Sequence, residues 1–328
     1  MDGGSADHAG AVICRHAGEF ANASRTRPPG GLLQRICFRG SPVHGDYKVV
    51  CDIRCRLGEG PLWSQRDNAV YWVDILAPAL HRLSLADGAV SSWAMPEKIG
   101  WVVERRERPG FIAGLQSGFA ELTLEPFACR AIIDPEPHYP DNRMNDAKVD
   151  HLGRIWAGTM DCDVRKASGS LYCLDRGFEV TKHDSGYMVT NGPAFSPACD
   201  CLYHSDTGRG IVYRFELTPE GNIRNRETFI RFPKEWGFPD GMTVDTDGGL
   251  WIAHWAGGRV SRFTPEGKSD RDVRLPASQI TSCVFAGENL DRMFVTSAAV
   301  ERENEPLAGC LFEIDPGARG LPPNLFDG

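Results

Sequence analysis

The sequence predicts an all-β protein, a six-bladed β-propeller with a disordered N-terminal extension. Three observations carry that prediction. Aromatic markers Tyr71, Phe111, Trp156, Tyr203, Trp251 and Phe294 recur at separations of 40 to 48 residues, the period of a propeller blade. Strand-like segments follow one another at short spacing, divided by turn residues. No long amphipathic helical pattern interrupts them.

Each copy of the repeat supports this in turn. The segment Asp146-Ala147-Lys148-Val149-Asp150 leads through a turn at Gly153 into Ile155-Trp156-Ala157. Val244-Asp245 and Leu250-Trp251 repeat that pattern, and Phe195-Ser196 with Leu202-Tyr203 varies it. A further copy runs over 60–73, a weaker one over 101–113 with Pro109-Gly110-Phe111, and a last one over 282–295. Downstream lie strands such as 169–174, 210–215 and 258–263, whose alternation reads as half-buried. Pro219-Glu220-Gly221-Asn222 and Pro265-Glu266-Gly267 are hairpin signals. About six blades fit between Leu57 and Pro316. The strand at 49–54 is left over, and it is expected to pair with the last blade and close the ring. Residues 1–48 read as a disordered or spurious extension, and 49–328 as the propeller.

Composition excludes several classes. Among the 328 residues, 41% are hydrophobic and 24% charged, enough for a full core. A net charge of -8 disfavours a nucleic-acid partner. No apolar run approaches a membrane span, and the N-terminus lacks the apolar region of a secretory signal. The 11 cysteines form no C-x-x-C pair and read as reduced thiols of a cytoplasmic protein. There is no P-loop, no dinucleotide fingerprint and no G-x-S-x-G elbow.

One polar position in the repeat points to chemistry. Glu59, Asn145, Asn191 and Asp240 each precede a marker aromatic by eleven or twelve residues. A ring brings equivalent positions together, so two carboxylates and two carboxamides should converge on the axis. Singly, each has an ordinary explanation: Asn191-Gly192 and Asp240-Gly241 are turn dipeptides. The shared offset favours a site. Oxygen donors suit a hard divalent ion, Ca²⁺, Mg²⁺ or Mn²⁺. No histidine shares the offset, although Zn²⁺ also occupies mixed oxygen sites. In the second and sixth blades the same place holds Gly100 and Thr281 or Ser282, which would leave room for a ligand. His204 and His254 follow two of the markers and read as satisfied core histidines.

Four strings in order, at blade spacing, give the chain a family resemblance. They are Leu57-Gly58-Glu59-Gly60-Pro61-Leu62-Trp63, Arg143-Met144-Asn145-Asp146-Ala147-Lys148-Val149-Asp150, Thr190-Asn191-Gly192-Pro193 and Phe238-Pro239-Asp240-Gly241-Met242. The chain resembles the gluconolactonase/regucalcin family, grouped with the luciferin-regenerating enzymes, from about Val49 to Pro316. The resemblance implies metal ligands at Glu59, Asn191 and Asp240, and substrate contacts at Arg143 and Asn145. It implies one departure. Where members carry a glutamate before the G-x-L-Y strand, this chain has Arg165, so a sugar contact is exchanged for a cation.

The expected function is hydrolysis of a sugar lactone such as glucono-, arabinono- or xylonolactone to the aldonic acid. A single divalent ion, Ca²⁺, Zn²⁺, Mn²⁺ or Mg²⁺, would polarise the carbonyl. Asp240 would serve as ligand and as base for water, and Arg143, Asn145 and Arg165 would bind the sugar. Asp146 and Lys148 read as supporting residues. Two rivals stand beside this: a non-catalytic calcium-binding regulatory propeller, and a promiscuous ester or phosphotriester hydrolase on the same site.

Overall fold

Six antiparallel sheets surround one axis in the computed structural model, which describes residues 47–328 and the backbone of Leu33–Ile36. The inner strands of blades 1 to 6 are Gly58–Ser64, Ile99–Glu104, Asn142–Val149, Thr190–Phe195, Phe238–Val244 and Ile280–Ala286. Each blade then steps outward through successive antiparallel strands. Blade 6 takes its outermost strand, Tyr47–Cys51, from the start of the described chain, paired with Leu311–Ile314. That is the predicted ring closure, begun two residues earlier than 49 and ended at Cys51. It ties the start of the propeller into the last blade and so closes the ring. The expectation of disorder over 1–48 otherwise lies outside the described residues. The exception is the backbone strand Leu33–Ile36, which pairs with 89–92 on the outer edge of blade 1.

Burial falls from axis to rim. The second strands of blades 1, 3 and 5, Ala69–Asp74, Ile155–Asp161 and Leu250–Trp255, are buried at every position. The outer strand Ser269–Arg274 is exposed at all but Val273. The alternating segment Gly169–Leu174 is also buried throughout, not half-buried as its pattern suggests. A middle strand of a blade packs against neighbours on both faces, so its polar residues must find partners inside. Ser261, for example, donates to Asp272 at 2.6 Å.

The repeat signature has a mechanical cause. Asp245 is fully buried and accepts from the amides of Asp247 and Gly249, from Trp251 Nε1 at 2.8 Å and from Arg262 Nε at 2.6 Å. Asp150 does the same with the amides of Leu152 and Arg154, Trp156 Nε1 and the Arg154 guanidinium. In blades 1 and 4 the hydroxyls of Ser64 and Ser196 take over part of that work at the turn. The two hairpin signals are hairpins, with Gly221 and Gly267 at φ 76° and 78°. No disulfide joins any of the nine described cysteines, and no described helix is long and apolar enough to cross a membrane.

Beyond blade 6 the chain crosses the far face of the ring. Gly320 donates to Leu290 O, Phe326 to Glu104 O and Asp327 to Gly153 O. Phe326 is fully buried, and Arg105 Nε bonds Gly328 O at 2.8 Å. Residues 321–324 thereby line the distal end of an axial cavity of about 380 Å³, whose walls include Trp63, Trp101, Asp146, Lys148 and Phe285.

The buried turn carboxylate should dominate local stability. Asp245→Ala leaves Trp251 Nε1 and two amides without their acceptor and Arg262 without its buried counter-ion, and is expected to cost about 3–5 kcal/mol. Urea unfolding of the two proteins at neutral pH measures this.

Candidate functional site

The inner strands share one irregularity near the same end. Opposite the single residue Trp72 stand Gly60 and Pro61, and opposite Gly158 stand Asn145 and Asp146. Gly192 and Pro193 face His204, and Asp240 and Gly241 face Ala253. In blades 2 and 6 the unmatched residues are Gly100 and Thr281. Each inner strand thus carries one extra residue, a β-bulge that bends the strand and re-aims its side chains. Glu59, Asn145, Asn191 and Asp240 lie inside these bulges or directly before them, and Arg143 two residues before Asn145. That is why they turn to the axis together.

A directed hydrogen-bond chain links them. Arg143 Nη1 donates to Asn145 Oδ1 at 2.6 Å. Asn145 Nδ2 donates to Asn191 Oδ1 at 3.0 Å and to Thr190 O. Asn191 Nδ2 donates to Thr207 Oγ1 at 2.8 Å, and Thr207 Oγ1 donates to Pro239 O at 2.7 Å, one residue before Asp240. The chain runs from blade 3 through blade 4 to blade 5. Asp146 reinforces it: one oxygen accepts the amide of Gly192 and the other that of Ala147, at 2.8 and 2.7 Å.

Three buried carboxylates press on one another beside this chain. Burial and then Asp146 push the Glu59 carboxyl up to about 8, while the Gly60 amide and Arg143 pull it down. Burial pushes Asp146 up to about 6, opposed by Lys148 and the amides of Gly192 and Ala147. Asp240 stands well above the carboxylate range through burial, then Glu59, then Asp146. Such a group holds its negative charge poorly unless a cation joins it. Two carboxylates and a carboxamide oxygen form a hard, all-oxygen donor set, so Glu59, Asn191 and Asp240 fit a divalent ion. Among the described residues, no three His, Cys, Asp or Glu side chains gather tightly enough to hold one alone.

Five of the predicted residues, Glu59, Arg143, Asn145, Asn191 and Asp240, are buried. Hydrogen bonds join Arg143, Asn145 and Asn191, and Glu59 and Asp240 feel Arg143 electrostatically. Arg165 stands apart. Its side chain is 67% exposed and ion-paired with Asp163, so the loop retains a carboxylate two residues before the arginine. Asp146, read as a supporting residue, belongs to the carboxylate group, and Lys148 lines the axial cavity below it. Thr207 joins this network from outside the repeat, at a place that no repeat position marks. Gly100 has a packing reason to be glycine: a Cβ there would lie 2.7 Å from Asn145 O, so blades 2 and 3 touch. Thr281 is engaged in donating to Gly58 O at 2.6 Å.

Known proteins resemble this chain in sequence and in fold. Residues 57–299 match the family model described as SMP-30/Gluconolactonase/LRE-like region. A 6-deoxy-6-sulfogluconolactonase of Pseudomonas putida is 36% identical over 278 residues, 83% of this chain and 95% of that protein. A regucalcin of Gallus gallus is 35% identical over 288 residues, 84% of this chain and 96% of its own. Among solved structures, a calcium-binding protein, regucalcin, from Agrobacterium tumefaciens superimposes with a TM-score of 0.82 at 26% identity, covering 87% of this chain and 98% of that one. The chain belongs to the SMP-30/gluconolactonase/LRE-like family.

The two histidines are core residues, but His204 is not a satisfied one. Its ring is fully buried against Tyr187, and neither nitrogen has a hydrogen-bond partner among the described residues. His254 uses Nδ1 on Trp236 O, and its Nε2 has none. Burial lowers His204 to about 3 and His254 to about 4. The folded state therefore refuses a proton that the unfolded chain takes up near pH ~6.5. Stability from this source is complete above about pH 6.5 and is lost as pH falls below it. For His204 alone the loss by about pH 5 is expected to be about 2 kcal/mol. Unfolding of wild type and His204→Phe at about pH 8 and about pH 5 tests it: the variant should lose about that much less. An equal loss in both would assign the acid sensitivity elsewhere.

Proposed function

We propose that this family member hydrolyses a sugar lactone to its aldonic acid, with one divalent ion held by Glu59, Asn191 and Asp240. One observation carries the reading. Two buried carboxylates and an oriented carboxamide stand beside the hydrogen-bonded pair Arg143 and Asn145. An ion site alone has no use for that pair; a ring rich in oxygen does.

The ion supplies Lewis-acid polarisation of the lactone carbonyl. Arg143 and Asn145 hold the ring through its oxygens, which aligns the carbonyl carbon for attack. The Asp240 carboxylate takes the proton from the attacking water. The C–O bond to the ring oxygen then breaks, and that oxygen leaves as a hydroxyl carrying the proton. Arg143 lowers both Glu59 and Asp240, which helps keep the base ionised.

Glucono-, arabinono- and xylonolactone are the first substrates to test. Similarity to a sulfogluconolactonase supports including a lactone with an anionic group, for which the exposed Arg165 is the candidate contact. Similarity to regucalcins supports the rival reading, calcium binding without turnover. A lactone panel crossed with Ca²⁺, Zn²⁺, Mn²⁺ and Mg²⁺, read as acid release, separates the two. Activity should vanish with a chelator and return with the ion. Asp240→Asn is expected to lower kcat at least about 100-fold. Arg143→Ala and Asn145→Ala should each lower kcat/KM by about 10- to 100-fold. Acid release at the buffer rate for every lactone and ion, with calcium still bound, would establish the rival.

A further inference from the structure

We propose that Thr207 is a positioning residue that fixes which end of the Asn191 carboxamide faces the ion. The inference rests on the ion-site reading above. An asparagine can present either its oxygen or its NH₂, and only the oxygen is a ligand. The two ends are alike in shape, so packing alone does not choose between them. Something must select the oxygen.

The choice follows from the ends of the hydrogen-bond chain. Pro239 O is a carbonyl and only accepts, so the hydroxyl proton of Thr207 is committed to it at 2.7 Å. The oxygen of Thr207 is then left as an acceptor, and the Asn191 atom 2.8 Å away must be the NH₂. From the other end, Arg143 only donates, so the Asn145 atom it meets is Oδ1. Thr190 O only accepts, so the opposite end of Asn145 is its NH₂, which donates to Asn191 Oδ1. Both directions give the same orientation.

Thr207 is suited to this work. It is 3% exposed and opens the short 3-10 turn Thr207–Arg209. Its amide bonds Val189 O and its carbonyl accepts from Gly210, so the hydroxyl is held in place. It joins blade 4, which supplies Asn191, to the residue before Asp240 on blade 5. One hydroxyl therefore sets the orientation of one ligand and the spacing to the next. Without it, the restraint from Asn145 remains, so the expected loss is partial.

Calcium titration by calorimetry of wild type, Thr207→Val and Thr207→Ser is the test. Valine keeps the shape and removes the hydroxyl; serine keeps the hydroxyl. Valine is expected to weaken Ca²⁺ binding about 10- to 100-fold, the range for partners that orient a ligand. Serine should stay within about threefold of wild type. Wild-type affinity in the valine variant overturns the inference, as does a serine variant as weak as valine. The orientation has a separate readout in ion-free wild type. The Asn191 side-chain NH₂ signal, identified by its loss in Asn191→Asp, should exchange slowly with water. Exchange as fast as an exposed amide overturns the inference even if Thr207→Val fails to fold. Slow exchange in a wild-type protein that binds none of the four ions would uphold the orientation and remove the ion-site reading instead.

Discussion

Each of the six inner strands carries one more residue than the strand it pairs with; in blades 1, 3, 4 and 5 it faces the fourth residue of that strand, and in blades 2 and 6 it lies within about two residues of that place. This bulge is the constraint on which the rest depends. A regular inner strand would point successive side chains to alternate faces of its own blade. The extra residue breaks that alternation and bends the strand, so that side chains from separate blades reach one axis. It also brings backbones very close. A Cβ at Gly241 would lie 2.2 Å from Ser282 Oγ, and one at Gly100 would meet the carbonyls of Asn145 and Met144. The glycines are thus conditions of the ring.

Closeness of this kind concentrates charge. Glu59, Asp146 and Asp240 are buried within electrostatic reach of one another, with Arg143 and Lys148 as the cations that act on them. Left without an ion, such a group is costly, because burial penalises each ionised carboxyl and each neighbour adds to the penalty. The propeller can carry that cost because its stability comes from elsewhere. Large buried side chains such as Trp72, Trp156 and Trp251 fill the spaces between blades. Buried aspartates tie the outer ends of the inner strands, and the strand from the other end of the chain seals blade 6.

Much of this was legible in the residues, for a specific reason. The repeat shows because Asp150 and Asp245 bond the indoles of Trp156 and Trp251, six residues on, which sets both residue types and their spacing. Glu59, Asn191 and Asp240 show because a bulge at a fixed height is a fixed offset in sequence. Asp146 was harder to place, since its neighbour Asn145 already filled the offset and two residues share that bulge. Alternation misled at Gly169–Leu174, where both faces of the strand are covered by other blades. Arg165 lay in a loop outside the repeat, where no periodicity sets direction. Its outward ion pair with Asp163 is a matter of local geometry.

Period, marker aromatics and polar offset were enough to establish the number of blades and the closing strand, and to single out a set of polar residues that are buried on the inner strands. They could do so because those features repeat, and a repeat is a property of the linear chain. Which oxygen of which residue faces the axis is of another kind. It depends on a hydroxyl from a turn, a carbonyl from the next blade and an arginine from the blade before, joined across 143–239 by bonds that no local pattern encodes. The tail across the far face belongs with these: Phe326 finds its place between blades only once the ring is closed. Donor and acceptor roles settle only when both ends of a hydrogen-bond chain are in place, and those ends meet only in the folded molecule.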